Sequence, residues 1–230
     1  EMMYTVAEII QDTADSADKK TMIVRFEETL PSNLSDRVSG QPKYVAENVT
    51  YAPAVTIRNC TFKNVATRGV LCTTRNKVMI ENNIFYNMSM ATIYLSNDSD
   101  EWYESGPIRN LTIRNNTFYI RPTGQSAVGT VSGVFIEPIT IASWAMNGGE
   151  MTPKNPETPV HENITIEGNT FHISNDNVVT ANRVDGLTIK DNVIIHDDES
   201  LALTIDTKEA LGIGKSQEIT VNVEETILSK

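Results

Sequence analysis

Thirty acidic side chains against 19 basic ones give this 230-residue chain a net charge of −11, so it lacks the basic footprint that nucleic acid or an anionic membrane surface requires. No run approaches the roughly 20 consecutive apolar residues of a membrane-crossing helix. The 40% apolar content suffices for one or two domains with a real core.

The chain opens Glu1-Met-Met-Tyr without a signal-peptide pattern, and reads as a processed chain or a piece of a longer protein. Residues 1–50 form the first predicted region, a small β-stranded subdomain. Thr5–Ile10 and Thr21–Phe26 are apolar runs separated by the polar stretch Gln11–Lys20. Leu30-Pro-Ser-Asn marks a turn, and Tyr44–Val49 is a candidate third strand. Together they suggest a small antiparallel sheet that caps the repeats beginning near residue 51.

From 51 to 230 the chain repeats one phrase. Val55-Thr-Ile-Arg-Asn-Cys-Thr-Phe62 is followed by Val78-Met-Ile-Glu-Asn-Asn-Ile-Phe85 and Leu111-Thr-Ile-Arg-Asn-Asn-Thr-Phe118. Ile164-Thr-Ile-Glu-Gly-Asn-Thr-Phe171, Leu187-Thr-Ile-Lys-Asp-Asn-Val-Ile194 and a decayed copy from Ile219 complete the set. Two of the steps are 23 residues long and the others longer. Such a period belongs to solenoids, in which one unit cannot bury its apolar face alone. The apolar positions are β-branched or aromatic and alternate with polar ones, which is a strand pattern. Stacked at about 4.8 Å, Ile57, Ile80, Ile113, Ile166 and Ile189 become one internal column. Asn83, Asn116, Asn169 and Asn192 become a ladder that bonds turn backbone. The predicted fold is all-β, a right-handed parallel β-helix of the pectate-lyase-like kind, its hand set by the crossover rule.

A second strand in each unit starts eight residues after the Phe position at Val70, Ile93 and Val179. Its expected equivalents are Val134-Phe-Ile-Glu137 in the third coil and Leu203-Thr-Ile-Asp206 in the fifth. Longer coils carry insertions at 98–107, 138–161 and 207–217, all expected to leave after this second strand and so to gather along one edge. In a solenoid, such an edge is often the binding face. Cys60 and Cys72 both fall at inward positions and read as buried free thiols. The Asn-X-Thr/Ser triplets are read as products of the repeat rather than as glycan sites.

The insertion after the second coil holds Asp98, Asp100, Glu101 and Glu104 with Trp102 and Tyr103, closed by Gly106-Pro107. Carboxylates beside an aromatic ring suit a neutral sugar: the ring covers the apolar face of the pyranose and the carboxylates accept its hydroxyl protons. Carboxylates are also the acid and base of glycoside hydrolysis. Calcium ligation through Asp-x-Asp and a merely solvated acidic loop are the other readings. Counting outward positions along the second strands gives the row Thr73, Ser96, Glu137, Asn182 and Asp206, with Asp98 two residues beyond Ser96. Standard strand spacings then put Asp98 roughly 8 Å from Glu137, within the roughly 6.5–9.5 Å that inverting glycosidases use. Asp98 and Glu137 are therefore the candidate catalytic pair. Asn97, Asp100, Trp102, Glu104 and Asp206 are candidate substrate-binding residues. No metal site or cofactor is expected.

The first repeat, Thr67-Arg-Gly-Val70 and above all Ser96-Asn-Asp-Ser-Asp-Glu-Trp-Tyr-Glu-Ser-Gly-Pro107 resemble glycoside hydrolase family 110. The likeness runs from about Met22 to Ile195 and includes Phe26-x-x-x-Leu-Pro31. It implies a bacterial enzyme, secreted or periplasmic, that removes terminal α-1,3-linked galactose from glycans with inversion. It also implies a catalytic Asp-Asp pair followed by Asn-x-His-Gly in earlier coils of a longer chain. The one Asp-Asp pair here, Asp197-Asp198, is followed by Glu-Ser-Leu. The chain thus resembles the later part of such an enzyme. Without the resemblance, a non-catalytic glycan-binding β-helix and a structural one are the other readings.

Overall fold

The computed structural model describes residues 2–11, 22–38, 41–42, 46–88, 90–97, 107–119, 139–141, 160–173, 178–182, 184–196, 213–214 and 220–227. The chain divides into two units, Glu1–Val45 and Ala46–Lys230.

In the first unit, β1 (Val6–Gln11) and β2 (Met22–Phe26) pair antiparallel. They correspond to the two apolar runs of the N-terminal region. A shorter antiparallel pair joins β3 (Arg37–Val38) and β4 (Gln41–Pro42). Between them the chain turns where Leu30-Pro-Ser-Asn suggested: the Leu34 N–H donates to the Pro31 carbonyl at 3.2 Å and Asp36 N–H to Asn33 at 3.0 Å.

In the second unit each full coil contributes three strands to three parallel faces. The first face stacks β5 (Val55–Arg58), β8 (Val78–Glu81), β11 (Arg109–Arg114), β14 (His161–Glu167), the first half of β17 (Val184–His196) and β19 (Thr220–Ile227). The second stacks β6 (Thr61–Val65), β9 (Ile84–Met88), β12 (Thr117–Tyr119), β15 (Thr170–Ile173) and the second half of β17. The third stacks β7 (Val70–Cys72), β10 (Ile93–Leu95), β13 (Ile139–Ile141), β16 (Val179–Asn182) and β18 (Ile213–Gly214). This is a right-handed parallel β-helix, the hand that parallel crossovers take. The strand expected over 44–49 is absent from its described part: residues 46–49 are irregular. There the Asn48 side-chain oxygen accepts the Thr50 N–H at 3.0 Å, a local bond that competes with strand pairing.

The core is made of residues stacked on their own equivalents. Ile57, Ile80, Ile113, Ile166 and Ile189 are register partners, and all but Ile57, in the first coil, are buried. Phe62, Phe85, Phe118 and Phe171 stack face to face with centroids 4.9, 5.1 and 4.7 Å apart, a separation equal to the rise per coil. The column ends on Ile194, the register partner of Phe171.

The corner between the first two faces is an asparagine ladder. Asn83, Asn116, Asn169 and Asn192 are almost completely buried. Asn116 Oδ1 accepts both the backbone N–H and the Nδ2 of Asn83, at 2.9 and 3.0 Å, while Asn116 Nδ2 donates to the Ile80 carbonyl at 2.9 Å. Asn169 does the same for Asn116, and Asn192 for Asn169. At the first rung Asn83 Oδ1 accepts Cys60 N–H, but the thiol has no amide with which to extend the ladder.

The residue before each rung sits in the left-handed region: Asn59, Asn82, Asn115, Gly168 and Asp191, with φ between 53° and 62°. Only Gly, Asn and Asp enter this region cheaply. Gly168 is also pressed on Asn115, whose Oδ1 lies 2.5 Å from where a Cβ would stand. The asparagines of the repeated Asn-X-Thr/Ser triplets at Asn59, Asn87, Asn110, Asn115 and Asn163 all have left-handed backbone, Asn59 and Asn115 just before a rung and Asn87, Asn110 and Asn163 within β9, β11 and β14.

Cys72 is buried as expected, but Cys60 is exposed, because its coil has no described coil stacked on its outer side. Both are free thiols. Burial pushes the Cys72 thiol up to about 11, so little thiolate forms at neutral pH. A thiol reagent should therefore modify Cys60 in the native protein and Cys72 only on unfolding. Mass spectrometry finding both modified at similar rates would mean that the first coil opens.

Candidate functional site

Two of the three outer faces are occupied by their own ladders. On the first, Arg58, Glu81, Arg114, Glu167 and Lys190 share one register and alternate in sign. Arg114 Nη2 meets Glu81 Oε2 at 2.6 Å, and Lys190 Nζ meets Glu167 at 3.1 Å. On the second, Tyr86, Tyr119 and His172 form an outer ring column, with Lys63 5.6 Å from the Tyr86 centroid. Tyr119 and His172 lie flat on each other at 4.5 Å and 15°, so the ring faces between them are covered. A depression at the first coil is lined mainly by Val55, Ile57, Val70 and Val78, and its rim carboxylate, Glu47, is paired with Arg75 at 3.2 Å. Asn48, Tyr51, Thr73 and Thr74 also line it.

The third face is different. Leu71, Tyr94, Thr140 and Thr180 are register partners along it. Leu71 is 43% exposed, and Tyr94 carries the Arg68 guanidinium 4.5 Å from its ring centroid. Arg68 sits in the turn before β7, and Gly69 is what lets that turn close on the second coil. A Cβ at Gly69 would lie 2.9 Å from the Thr92 carbonyl and 3.3 Å from the Phe85 ring.

The long connections flank this face at both ends. Segments 98–106 and 142–159 follow β10 and β13, whereas 120–138 and 197–212 precede β13 and β18. The insertion expected over 138–161 thus contains β13 at its start, and the connection after the third face in that coil is 142–159. The strand partner of Ile93–Leu95 is Ile139–Ile141, not 134–137. Val134-Phe-Ile and Ile139-Thr-Ile are both short apolar runs, and period alone does not choose between two such runs in one connection. The fifth coil differs likewise: Asn182 pairs with Gly214, not with Asp206.

These registers change the expected outward row. Ser96 is buried, because the inward–outward alternation of β10 stops at Leu95 and the chain turns the corner there. Asn97 is half-buried at the root of the 98–106 segment and is engaged by a partner. Asp98, Asp100, Trp102 and Glu104, as well as Glu137 and Asp206, lie outside the described residues. The register that put Asp98 roughly 8 Å from Glu137 no longer holds. Glu137 stands two residues before the paired strand rather than at its end. Arg68 was not among the expected site residues. It lies in a turn, where no periodicity marks it, although Thr67-Arg-Gly-Val70 stood out as a motif. Among the described residues, no three His, Cys, Asp or Glu side chains gather as a metal site.

Residues 45–223 match the profile of the family described as "Right handed beta helix region". The chain is similar to alpha-1,3-galactosidase A of Peterkaempfera griseoplana, 42% identical over 75% of this chain and 21% of that protein. It is similar to alpha-1,3-galactosidase A of Streptomyces avermitilis, 40% identical over 76% of this chain and 24% of that one. It is also similar to alpha-1,3-galactosidase A of Bacteroides thetaiotaomicron, 41% identical over 74% of this chain and 26% of that one. The matched region spans about a quarter of the length of these relatives.

Proposed function

We propose that this chain, which belongs to the right-handed β-helix family, serves an inverting exo-α-galactosidase that removes terminal α-1,3-linked galactose from glycans. Its substrate-facing surface is then the outer side of the third face with its flanking segments. The observation that carries this reading is identity of 40–42% to three proteins named alpha-1,3-galactosidase, over about three quarters of this chain. The resemblance also favours a periplasmic or extracellular setting.

In this reading the 98–106 segment holds the sugar. It leaves the third face directly after Asn97, and its composition is that of a neutral-sugar site. Trp102 covers the apolar face of galactose; Asn97, Asp98, Asp100 and Glu104 take its hydroxyls. Asp98 and Glu137 remain the acid and base candidates within this chain. Their support is now chemistry alone, since the strand register no longer brings them together. Asp206 is a further hydroxyl contact on the same terms. An alternative, in which these carboxylates only bind sugar beside aspartates from other coils, is favoured by the missing Asp-Asp-…-Asn-x-His-Gly motif.

The test is hydrolysis of α-1,3-galactobiose followed by NMR. Release of β-galactose as the first anomer supports the inverting assignment. Asp98→Asn and Glu137→Gln should each abolish it if the pair is catalytic; activity surviving both changes removes the pair. Trp102→Ala should weaken methyl α-galactoside binding about tenfold, the scale of a lost ring contact to a ligand, at an unchanged melting temperature. Wild-type binding without hydrolysis would favour the non-catalytic alternative.

A further inference from the structure

Arg68 is held in an unusual way for this molecule. Arg25, Arg75, Arg109 and Arg114 each lie against a carboxylate, on Glu8, Glu47, Glu162 and Glu81 respectively. Arg68 lies on a ring instead. Its guanidinium carbon is 4.5 Å from the Tyr94 centroid, and its Nε, like those of Arg75 and Arg109, is buried with no hydrogen-bond partner. A guanidinium stacked on an aromatic ring keeps its five N–H donors in one plane. The ring contact satisfies the charge in part; with Nε buried, the donors left for a ligand are those of the two Nη groups.

The surroundings select what could use them. Leu71, three residues on, is the neighbour of Tyr94 along the same face and is 43% exposed. An apolar surface thus stands beside a planar set of donors. Gly69 fixes the arrangement by pressing its backbone on Thr92 and Phe85 of the next coil. A neutral pyranose matches both parts: one face of its ring is apolar, and adjacent hydroxyl oxygens are spaced for a planar fork. An anionic ligand is disfavoured. The chain carries −11, and Asp98, Asp100, Glu101 and Glu104 follow only a few residues after Tyr94.

We propose that Arg68, presented on Tyr94 beside Leu71, is a sugar-contacting residue that fixes the orientation of the galactoside through its hydroxyl oxygens. The proposal rests on the galactoside reading above and adds a residue to it. Arg68 acts as a hydrogen-bond fork. Its charge strengthens those bonds, and neutral sugar binding through it is nearly indifferent to salt.

Calorimetric titration of methyl α-galactoside into the chain tests this, with Arg68→Gln and Arg68→Lys compared with wild type. Arg68→Gln should bind about tenfold more weakly, the scale of losing a charge-assisted hydrogen bond. Arg68→Lys should not restore affinity, because an ammonium offers a point charge and not a planar fork. Both variants should melt close to the wild type, since the contact that holds the half-buried Arg68 is a single ring, Tyr94. Wild-type affinity should be the same in 50 mM and 500 mM salt. If Arg68→Gln binds as the wild type does while Trp102→Ala loses binding, the Arg68 contact is wrong and the galactoside reading stands. If the wild type binds no galactoside, both fall. If Arg68→Gln unfolds the coil, Arg68 is a structural residue and the proposal is overturned.

Discussion

Asn116→Leu should destabilise the β-helix by about 3–5 kcal/mol, although leucine has nearly the same size and is more apolar. Asn116 occupies the middle of the ladder and is 1% exposed. Its Oδ1 satisfies two donors of Asn83, the backbone N–H and one Nδ2 hydrogen, and its Nδ2 satisfies the Ile80 carbonyl. Leucine would orphan these three buried groups. Each orphan costs roughly 1–3 kcal/mol, and no water reaches a corner closed by coils on both sides. The Asn169 Oδ1 would lose less, because it still accepts the Asn116 backbone N–H at 2.9 Å. Urea unfolding of the variant measures the loss. A decrease under about 1 kcal/mol would mean that the turn carbonyls find other donors, and that the ladder follows the fold rather than holding it.

The features that can be read from the amino-acid sequence are those in which a residue stacks on its own kind. Ile80, Ile113 and Ile166, Phe85, Phe118 and Phe171, and Asn83, Asn116 and Asn169 recur at one register because each position repeats the same environment. Alternation of Arg114 and Glu167 across coils belongs to the same logic, since like charges about 4.8 Å apart would repel. Whatever depends on a single coil is much harder to read. Cys60 follows the inward pattern yet is exposed, because burial at that position needs a neighbouring coil. Ser96 continues an alternation in the sequence that the backbone abandons at the corner. In the third coil, Val134-Phe-Ile and Ile139-Thr-Ile compete for one partner, and Tyr94 pairs with Thr140. The candidate site inherits this limit: its residues lie in unique connections, where nothing is repeated against which to check a register. Arg68 illustrates it. The Leu71–Tyr94 pairing follows from the repeat, but placing a turn guanidinium over that ring required the backbone path through Gly69.

Phe118→Ala should cost about 3–5 kcal/mol, the range for a large aromatic removed from a closed core. Phe118 is completely buried between Phe85 and Phe171, at 5.1 and 4.7 Å and within 13° of parallel to each. Alanine would open a cavity that the flanking coils cannot fill, because their ladder bonds and paired strands fix the spacing between them. It would also remove two ring contacts, each worth roughly 0.5–1.5 kcal/mol. Phe62 supplies the internal comparison. Among the described residues it stacks only on Phe85, at 4.9 Å, and it is half-buried, so Phe62→Ala should cost about half as much. Urea unfolding of both variants decides the matter, and equal losses would contradict the stacked-column account. The same substitution connects the core to the proposed site. β12 ends at Tyr119, one residue beyond Phe118, and leads directly into the 120–138 segment before the third face. If that segment takes part in galactoside binding, Phe118→Ala should weaken methyl α-galactoside affinity even at temperatures where the chain remains folded. Phe62→Ala should do so less, since its coil reaches the third face through the short turn that carries Arg68 and Gly69.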